Sequence, residues 1–336
     1  MSPEAGASDL QAVARLKAAR ERILAELHKV IVGQDAVIEQ MLIALFADGH
    51  VLLVGVPGLA KTLLVSSLAR VLDLRFSRIQ FTPDLMPSDI TGTDIIEEDH
   101  ATGQRSFRFL RGPVFANIVL ADEINRTPPK TQAALLQAMQ EKEVTTGGQT
   151  FPLALPFFVL ATQNPIELEG TYPLPEAQLD RFMFKLKVPF PARESLRALL
   201  DVSLDREPAD SLAAVAGPED VLRIAAVCRS TLLAERCKQA AVSLVLATQP
   251  DVGEESAAAR RHLRYGASPR ALQSLVRAAR VRAVMAGRSH VDIADLEAVA
   301  APVLRHRILL RLESELDGLD ADTVLESVLD EWRSRT

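Results

Sequence analysis

Residues 50–62 read HVLLVGVPGLAKT, and this stretch decides the fold of the chain. Its first five residues are an apolar run between Gly49 and Gly55, which is typical of a strand buried on both faces of a parallel sheet. The next eight follow the pattern of a phosphate-binding loop, except that Ala60 stands where the pattern has its second glycine. A helix is predicted over 61–71. A strand, a small-residue loop and a helix in this order indicate a nucleotide-binding α/β core.

The loop predicts specific contacts with a nucleotide. Small residues let backbone N–H groups surround the phosphates, and the start of the helix adds positive partial charge. The Lys61 ammonium is expected on the β- and γ-phosphates, and the Thr62 hydroxyl on Mg²⁺. The predicted nucleotide-binding stretch consists of Gly55, Val56, Pro57, Gly58, Leu59, Ala60, Lys61, Thr62 and Leu63.

Polar residues follow two later apolar strands. Asp122 and Glu123 end the run IVLADE, with Asp122 expected to hold Mg²⁺ and Glu123 to polarise the attacking water. Asn164 ends the run FFVLATQN, at the sheet edge where ligands bind in such folds. Each signal has a simpler reading by itself, since Asp-Glu can cap a helix and Asn-Pro can form a turn. Their place in one series of alternating strands and helices favours catalysis.

The wider pattern predicts a parallel α/β sheet. Strands are expected at 50–54, 76–81, 117–121, 157–162 and 182–188, with helices at 9–30, from after Gln34 to residue 46, at 61–71 and at 129–140. Two hairpins are expected to interrupt the alternation, at 94–110 with a turn at 100–103 and at 143–153 with a turn at Gly147-Gly148.

The hydrophobic pattern of the sequence changes beyond residue 190. Every segment there has helical spacing, with helices predicted at 221–233, 237–248, 256–265, 269–286, 293–310 and 323–332. Ser268 and Asp292 are predicted to cap two of these helices. We therefore expect an α/β core with N-terminal helices over 1–192, of which 1–8 are disordered, a linker over 193–220 and an all-helical domain over 221–336.

Composition narrows the possible functions. The 336-residue chain is 48% hydrophobic and carries a formal charge of −6, whereas nucleic-acid binders usually have a basic balance. No signal peptide or membrane span is visible, which predicts a cytoplasmic protein. Neither the two cysteines nor the six histidines have metal-ligand spacing, so no metal beyond nucleotide-bound Mg²⁺ is expected.

Several long strings give the chain a specific resemblance to the MoxR family of AAA+ ATPases. They lie at 81–89 (FTPDLMPSD), 111–117 (RGPVFAN), 121–126 (ADEINR) and 169–182 (EGTYPLPEAQLDRF). The resemblance runs from about residue 10 to the C-terminal end and is firmest over 31–190. It implies an AAA+ P-loop core with a parallel sheet and hairpin inserts, followed by a C-terminal all-helical lid domain.

The resemblance also implies residue roles. Gln34 would lie by the adenine, and Asn164 would be the sensor-1 residue. Arg181 would be the arginine finger that reaches the nucleotide of a neighbouring subunit, with Arg126 as a second candidate. Arg270 would be the sensor-2 residue, placed on the nucleotide by the helical domain. The two hairpins would face a central pore.

The resemblance implies a ring, usually a hexamer, that hydrolyses ATP at subunit boundaries. It also implies chaperone-like remodelling of partner proteins, commonly proteins with a von Willebrand factor A domain. Two alternatives remain open from the sequence: a nucleic-acid-remodelling AAA+ motor, and a nucleotide-gated assembly platform with little turnover. The acidic balance disfavours the first, and the complete set of candidate catalytic residues disfavours the second.

Overall fold

A computed structural model describes residues 16–56, 58–98, 105–164, 170–200, 211–252 and 256–335. The expected disorder at 1–8, Pro57 and the expected turn at 100–103 lie outside these ranges, as does the start of the first predicted helix. No helix in the described ranges combines the length and hydrophobicity needed to cross a bilayer.

The N-terminal part alternates helices and strands around one sheet. Its elements are α1 (16–27), α2 (Asp35–Phe46), β1 (Val51–Val54), α3 (Lys61–Val71), β2 (Phe76–Gln80), α4 (Pro87–Thr91), β3 (Gly92–Glu98), β4 (Arg105–Arg111), β5 (Ile118–Asp122), a 3₁₀ turn (Ile124–Arg126), α5 (Pro129–Glu141), β6 (Glu143–Thr146), β7 (Gln149–Pro152), β8 (Phe158–Gln163), α6 (Glu176–Leu179), β9 (Phe184–Lys187) and α7 (Arg193–Leu199).

Five strands form the parallel sheet, in the order β2-β5-β8-β1-β9. Successive residues of its strands alternate between two cores: Val51 and Leu53 face one core, and Leu52 faces the other. This double burial explains the continuous apolar runs in the sequence. The carboxyl ends of β1, β5 and β8 meet at one edge of the sheet.

Both predicted hairpins are present. β3 pairs with β4 and β6 with β7, each antiparallel. Gly147 and Gly148 have φ of 54° and 77°, the left-handed conformation that a two-residue hairpin turn requires. The hairpins contact each other where the rings of Phe109 and Phe151 stack, with centroids 4.4 Å apart.

The C-terminal part, called the helical region below, begins at α8. Its elements are α8 (Pro218–Ser230), α9 (Glu235–Ala247), α10 (Ala257–His262), β10 (Leu263–Tyr265), α11 (Pro269–Met285), α12 (Ile293–Leu304), β11 (Leu309–Leu310), α13 (Leu312–Leu316) and α14 (Ala321–Arg333). The long helix α11 packs on α8, α9 and α12, and also contacts α2 of the N-terminal part.

Three details of the helical region differ from the sequence expectation. The helices expected at 256–265 and 293–310 end early, because 263–265 and 309–310 pair as a two-stranded antiparallel ribbon. Helices α7 and the start of α8 occupy residues expected in a linker. Asp292 caps α12 as expected, whereas the Ser268 hydroxyl does not cap α11 and instead binds Asp180. The predicted fold class is otherwise confirmed.

Candidate functional site

A cleft of about 440 Å³ lies at the carboxyl ends of β1, β5 and β8. We call it the phosphate cleft. Its lining brings together most of the residues that the sequence singled out, and these are Gly58, Leu59, Ala60, Lys61, Thr62, Leu63, Arg78, Asp122, Glu123, Thr162 and Asn164. The separate sequence signals at 55–63, 122–123 and 164 therefore converge on one site.

The loop before α3 has the backbone of an anion cradle. Gly58 has φ of +83°, and Ala60, with φ of +53°, is also left-handed, so a glycine is the residue that this position favours. The Lys61 ammonium donates to the Gly55 carbonyl over 2.7 Å. Burial lowers the pKa of this ammonium, while the carboxylates of Asp122 and Glu123 oppose the shift. A partly desolvated cation beside a loop with left-handed backbone at Gly58 and Ala60 suits a phosphate.

Asp122 is held from two sides. Its Oδ1 accepts a 2.6 Å hydrogen bond from the Thr162 hydroxyl, and its Oδ2 accepts two from the Arg78 guanidinium, at 2.6 and 3.2 Å. The same Thr162 oxygen accepts from the backbone N–H of Glu123 over 2.9 Å. These bonds fix the carboxylate at the mouth of the loop, where a carboxylate and the Thr62 hydroxyl can serve as oxygen ligands for Mg²⁺.

Glu123 is restrained as well. Its Oε2 accepts hydrogen bonds from Gln80 at 2.9 Å and from Arg126 at 3.0 Å. Its backbone is left-handed, with φ of +57°. Asn164 is buried on the same edge of the sheet, one residue beyond β8. A carboxylate and an amide that line the same cleft can orient a water for attack.

Gln34 reaches the loop from the residue before α2. Its Nε2 donates to the Leu59 carbonyl over 3.2 Å, and the side chain is buried. Its Oε1 is buried as well and has no hydrogen-bond partner. An orphaned acceptor beside a phosphate loop fits a ligand that donates, such as the exocyclic amine of adenine.

Arg181 and Arg270 lie together in a different cleft, of about 310 Å³, which we call the arginine cleft. Among the described residues, the two clefts share no lining residue. The Arg181 Nη1 donates to the Leu136 carbonyl over 2.9 Å, and the Arg270 guanidinium lies 3.9 Å from the Asp180 carboxylate. The helical region therefore does not bring Arg270 into the phosphate cleft of its own chain, because Ser268 attaches the start of α11 to Asp180, and Arg307 attaches the end of α12 to the same carboxylate.

Sequence reasoning missed three polar residues of the phosphate cleft and its surroundings. Arg78 and Gln80 are two residues apart on β2, so both point from the same strand face toward the Asp122–Glu123 pair at the end of the neighbouring strand β5. Thr162 lies in the run FFVLATQN, but the sequence pattern predicted no function for it. Two long polar side chains with period 2 on the predicted strand at 76–81 were the available signal.

Two family models match the chain. The model described as the ATPase family associated with various cellular activities (AAA) matches residues 50–184. The model of the AAA lid domain matches residues 255–328. The first range contains the whole phosphate cleft, and the second contains Arg270 and Arg307.

Individual relatives match over nearly the whole chain. The chain is 44% identical to Chaperone MoxR1 of Mycobacterium tuberculosis, over 92% of this chain and 80% of the relative. It is 33% identical to Protein MoxR of Methylorubrum extorquens, over 87% of this chain and 88% of the relative. A crystal structure from Cytophaga hutchinsonii, named there as a candidate ATPase, superposes with a TM-score of 0.88 at 40% identity and covers 98% of each chain.

Proposed function

Because the chain belongs to the MoxR family of AAA+ ATPases, we propose that it hydrolyses ATP at sites shared between neighbouring subunits and uses the energy to remodel partner proteins. The main observation in support of a shared site is that the candidate catalytic residues are divided between two clefts. Lys61, Asp122 and Glu123 line the phosphate cleft, whereas Arg181 and Arg270 line the arginine cleft. A site that needs both sets is completed by a second copy.

The phosphate cleft fits ATP at both ends of the nucleotide. The left-handed backbone at Gly58 and Ala60 opens the loop for the phosphates, and Lys61 would exchange its Gly55 carbonyl for a phosphate oxygen. The unpartnered Gln34 Oε1 would accept from the adenine amine. The contacts expected at the phosphates and at the adenine both support a nucleotide as the ligand of this cleft.

Thr62 and Asp122 would hold the Mg²⁺ ion, which supplies charge neutralisation for the transferring phosphoryl group. Before Asp122 can do so, its Oδ2 must lose the Arg78 guanidinium. Glu123 must likewise leave Gln80 and Arg126 before it can orient water. We therefore propose that the carboxylates described here are in a resting arrangement.

Arg181 and Arg270 would act on the nucleotide of the adjacent subunit. Arg270 is 55% exposed in the single chain, and its nearby partner, Asp180, is 3.9 Å away, so its charge remains available to a neighbour. Arg126, the other finger candidate, is bonded to Glu123 of its own chain. That contact favours Arg181 as the residue that stabilises the charge of the transition state in trans.

The hairpins favour a protein client over a nucleic acid. At the outer part of the first hairpin, Ile96 and Phe107 are 63% and 79% exposed and pair across β3 and β4. The basic side chains beside them, Arg105 and Arg108, bind Glu98 and Glu97. Exposed apolar groups with neutralised charges suit an apolar peptide better than a phosphate backbone. A relative is named a chaperone, and a partner with a von Willebrand factor A domain remains our proposal from the family resemblance.

The test is the steady-state ATPase rate with Mg²⁺ at increasing protein concentration, for the parent and for Arg181→Ala. We expect the rate per subunit to rise with concentration in the parent. In the variant we expect it to fall by about a thousandfold while ATP still binds. A rate per subunit that is independent of concentration and of Arg181 would contradict a site completed in trans.

A further inference from the structure

Arg307 joins the helical region to the segment that carries Arg181. We call residues 180–183, between α6 and β9, the finger segment. The Arg307 Nε donates to the Asp180 carboxylate over 2.6 Å. Its Nη1 donates to the Met183 carbonyl at 3.0 Å, and its Nη2 donates to the carbonyls of Asp180 and Phe182, at 3.1 and 2.8 Å. One guanidinium thus binds the backbone on both sides of Arg181.

This attachment is buried. The Arg307 side chain is only 2% exposed, and its remaining hydrogen bonds go to Val303 and Ser274 within the helical region. A desolvated guanidinium is tolerated when its charge is paired and its donors are used. Asp180 supplies the charge, and the five-donor fork of arginine supplies a geometry that a lysine ammonium cannot reproduce.

Other residues of the helical region hold the same segment. The Ser268 hydroxyl lies 3.0 and 3.1 Å from the two Asp180 carboxylate oxygens. The ring of His306 is hydrogen-bonded through Nε2 to the Phe182 carbonyl at 3.0 Å. The contacts come from both the start of α11 and the end of α12, so the finger segment is fixed relative to two helices.

We infer that Arg307 is a positioning residue, which makes the helical region and Arg181 move as one body and so sets the place of Arg181 at the neighbour's nucleotide. The inference rests on the proposed function, since it needs Arg181 to act in trans. It adds that a movement of one subunit's helical region changes catalysis in the adjacent site. A purely structural role for Arg307 would affect its own subunit's nucleotide binding and catalysis alike.

Arg307→Lys tests the inference, because lysine keeps the charge but loses the fork. Small misplacements of a catalytic group are costly, and we expect kcat to fall by about ten- to a hundredfold with the affinity for a fluorescent ATP analogue unchanged. The matched control is Arg305→Lys. Arg305 also lies at the end of α12, and it binds a different backbone carbonyl of the N-terminal part, that of Lys185 in β9 at 3.1 Å. Its other bond goes to Asp322, so the bonds of Arg305 do not hold the finger segment. Arg305→Lys should retain the parental rate.

Mixing subunits of two variants distinguishes a loss of Arg181 positioning at the neighbour's site from general damage to the Arg307→Lys subunit. Glu123→Gln subunits lack the water-orienting carboxylate but keep an intact finger segment, whereas Arg307→Lys subunits have the opposite defect. When equal amounts of the two variants assemble together at random, about a quarter of all head-to-tail interfaces combine an intact phosphate cleft with an intact finger segment. ATPase activity should therefore recover to about that fraction of the parental rate. A reference mixture of Glu123→Gln with Arg181→Ala should recover in the same way.

Each result has a stated meaning. Parental activity of Arg307→Lys overturns the inference. The inference is also overturned if the mixture of Arg307→Lys with Glu123→Gln shows no recovery of ATPase activity while the reference mixture recovers. In that case the proposed function still stands. Failure of the reference mixture overturns the shared site and this inference with it. If Arg307→Lys does not bind the analogue, Asp180→Asn replaces it, with the same expected fall in kcat and the same recovery on mixing.

Discussion

Two arginine–aspartate pairs mark the two working regions of the molecule, and they differ chiefly in burial. Arg78 binds Asp122 in the phosphate cleft with a shortest contact of 2.6 Å, and Arg307 binds Asp180 at the finger segment with the same shortest contact. The Arg78 side chain is 48% exposed, whereas that of Arg307 is 2% exposed. The first pair can therefore exchange its partner for a ligand, and the second is a fixed joint.

The largest expected effect concerns how much each of the two pairs contributes to the stability of the fold. Arg307→Ala removes the guanidinium that pairs with the Asp180 carboxylate and donates to the carbonyls of Asp180, Phe182 and Met183, and we expect it to lower the free energy of unfolding by about 3–5 kcal/mol. In the Arg78–Asp122 pair the arginine side chain is half exposed, and Arg78→Ala is expected to lower the free energy of unfolding by about 1 kcal/mol or less. Urea titrations of both variants and the parent measure the difference. Equal losses would mean that burial does not distinguish the two pairs.

The same contrast explains which parts of the site were predictable. Lys61, Asp122 and Glu123 could be recognised because each follows an apolar strand, and the parallel sheet brings strand ends together. The sheet and its hairpins followed from the same periodicity. Arg78 and Arg307 could not be recognised, since each acts on a carboxylate 44 or 127 residues away in the chain, and no local pattern encodes that pairing.

The position of Arg270 illustrates the limit most clearly. The sequence indicates a helix start at Ser268-Pro269, and the helix α11 begins there. Which cleft that helix start faces depends on Ser268 and Arg307 binding Asp180, a contact between distant segments. Element positions were thus predictable from local chemistry, whereas the relation between the helical region and the sheet was not.

The next effect concerns the exchange of partners in the phosphate cleft. If Arg78 competes with Mg²⁺ for Asp122, Arg78→Ala should lower the Mg²⁺ concentration for half-maximal ATPase activity by about two- to fivefold, the range of an exposed ion pair. Titration of the rate with Mg²⁺ at saturating ATP measures this change. Arg75→Ala is the matched control, because it removes the same charge from an exposed position just before β2. A higher Mg²⁺ requirement in Arg78→Ala would contradict the competition and indicate a phosphate ligand instead.

The smallest effect concerns the backbone of the same cleft. Ala60 is left-handed, which costs an alanine roughly 1–2 kcal/mol, and a glycine would recover that cost but lose about 0.4–1 kcal/mol through the greater entropy of its unfolded chain. We therefore expect Ala60→Gly to raise the free energy of unfolding by about 0.5 kcal/mol, as measured by urea titration. Asp73→Gly, at another left-handed position outside the cleft, should give a gain of the same sign without changing the KM for ATP. A loss of stability in Ala60→Gly, with a gain in Asp73→Gly, would mean that the Ala60 side chain itself stabilises the loop. The phosphate cleft would then be more rigid than the half-exposed Arg78–Asp122 pair indicates, and the contrast with the buried Arg307–Asp180 pair would be smaller.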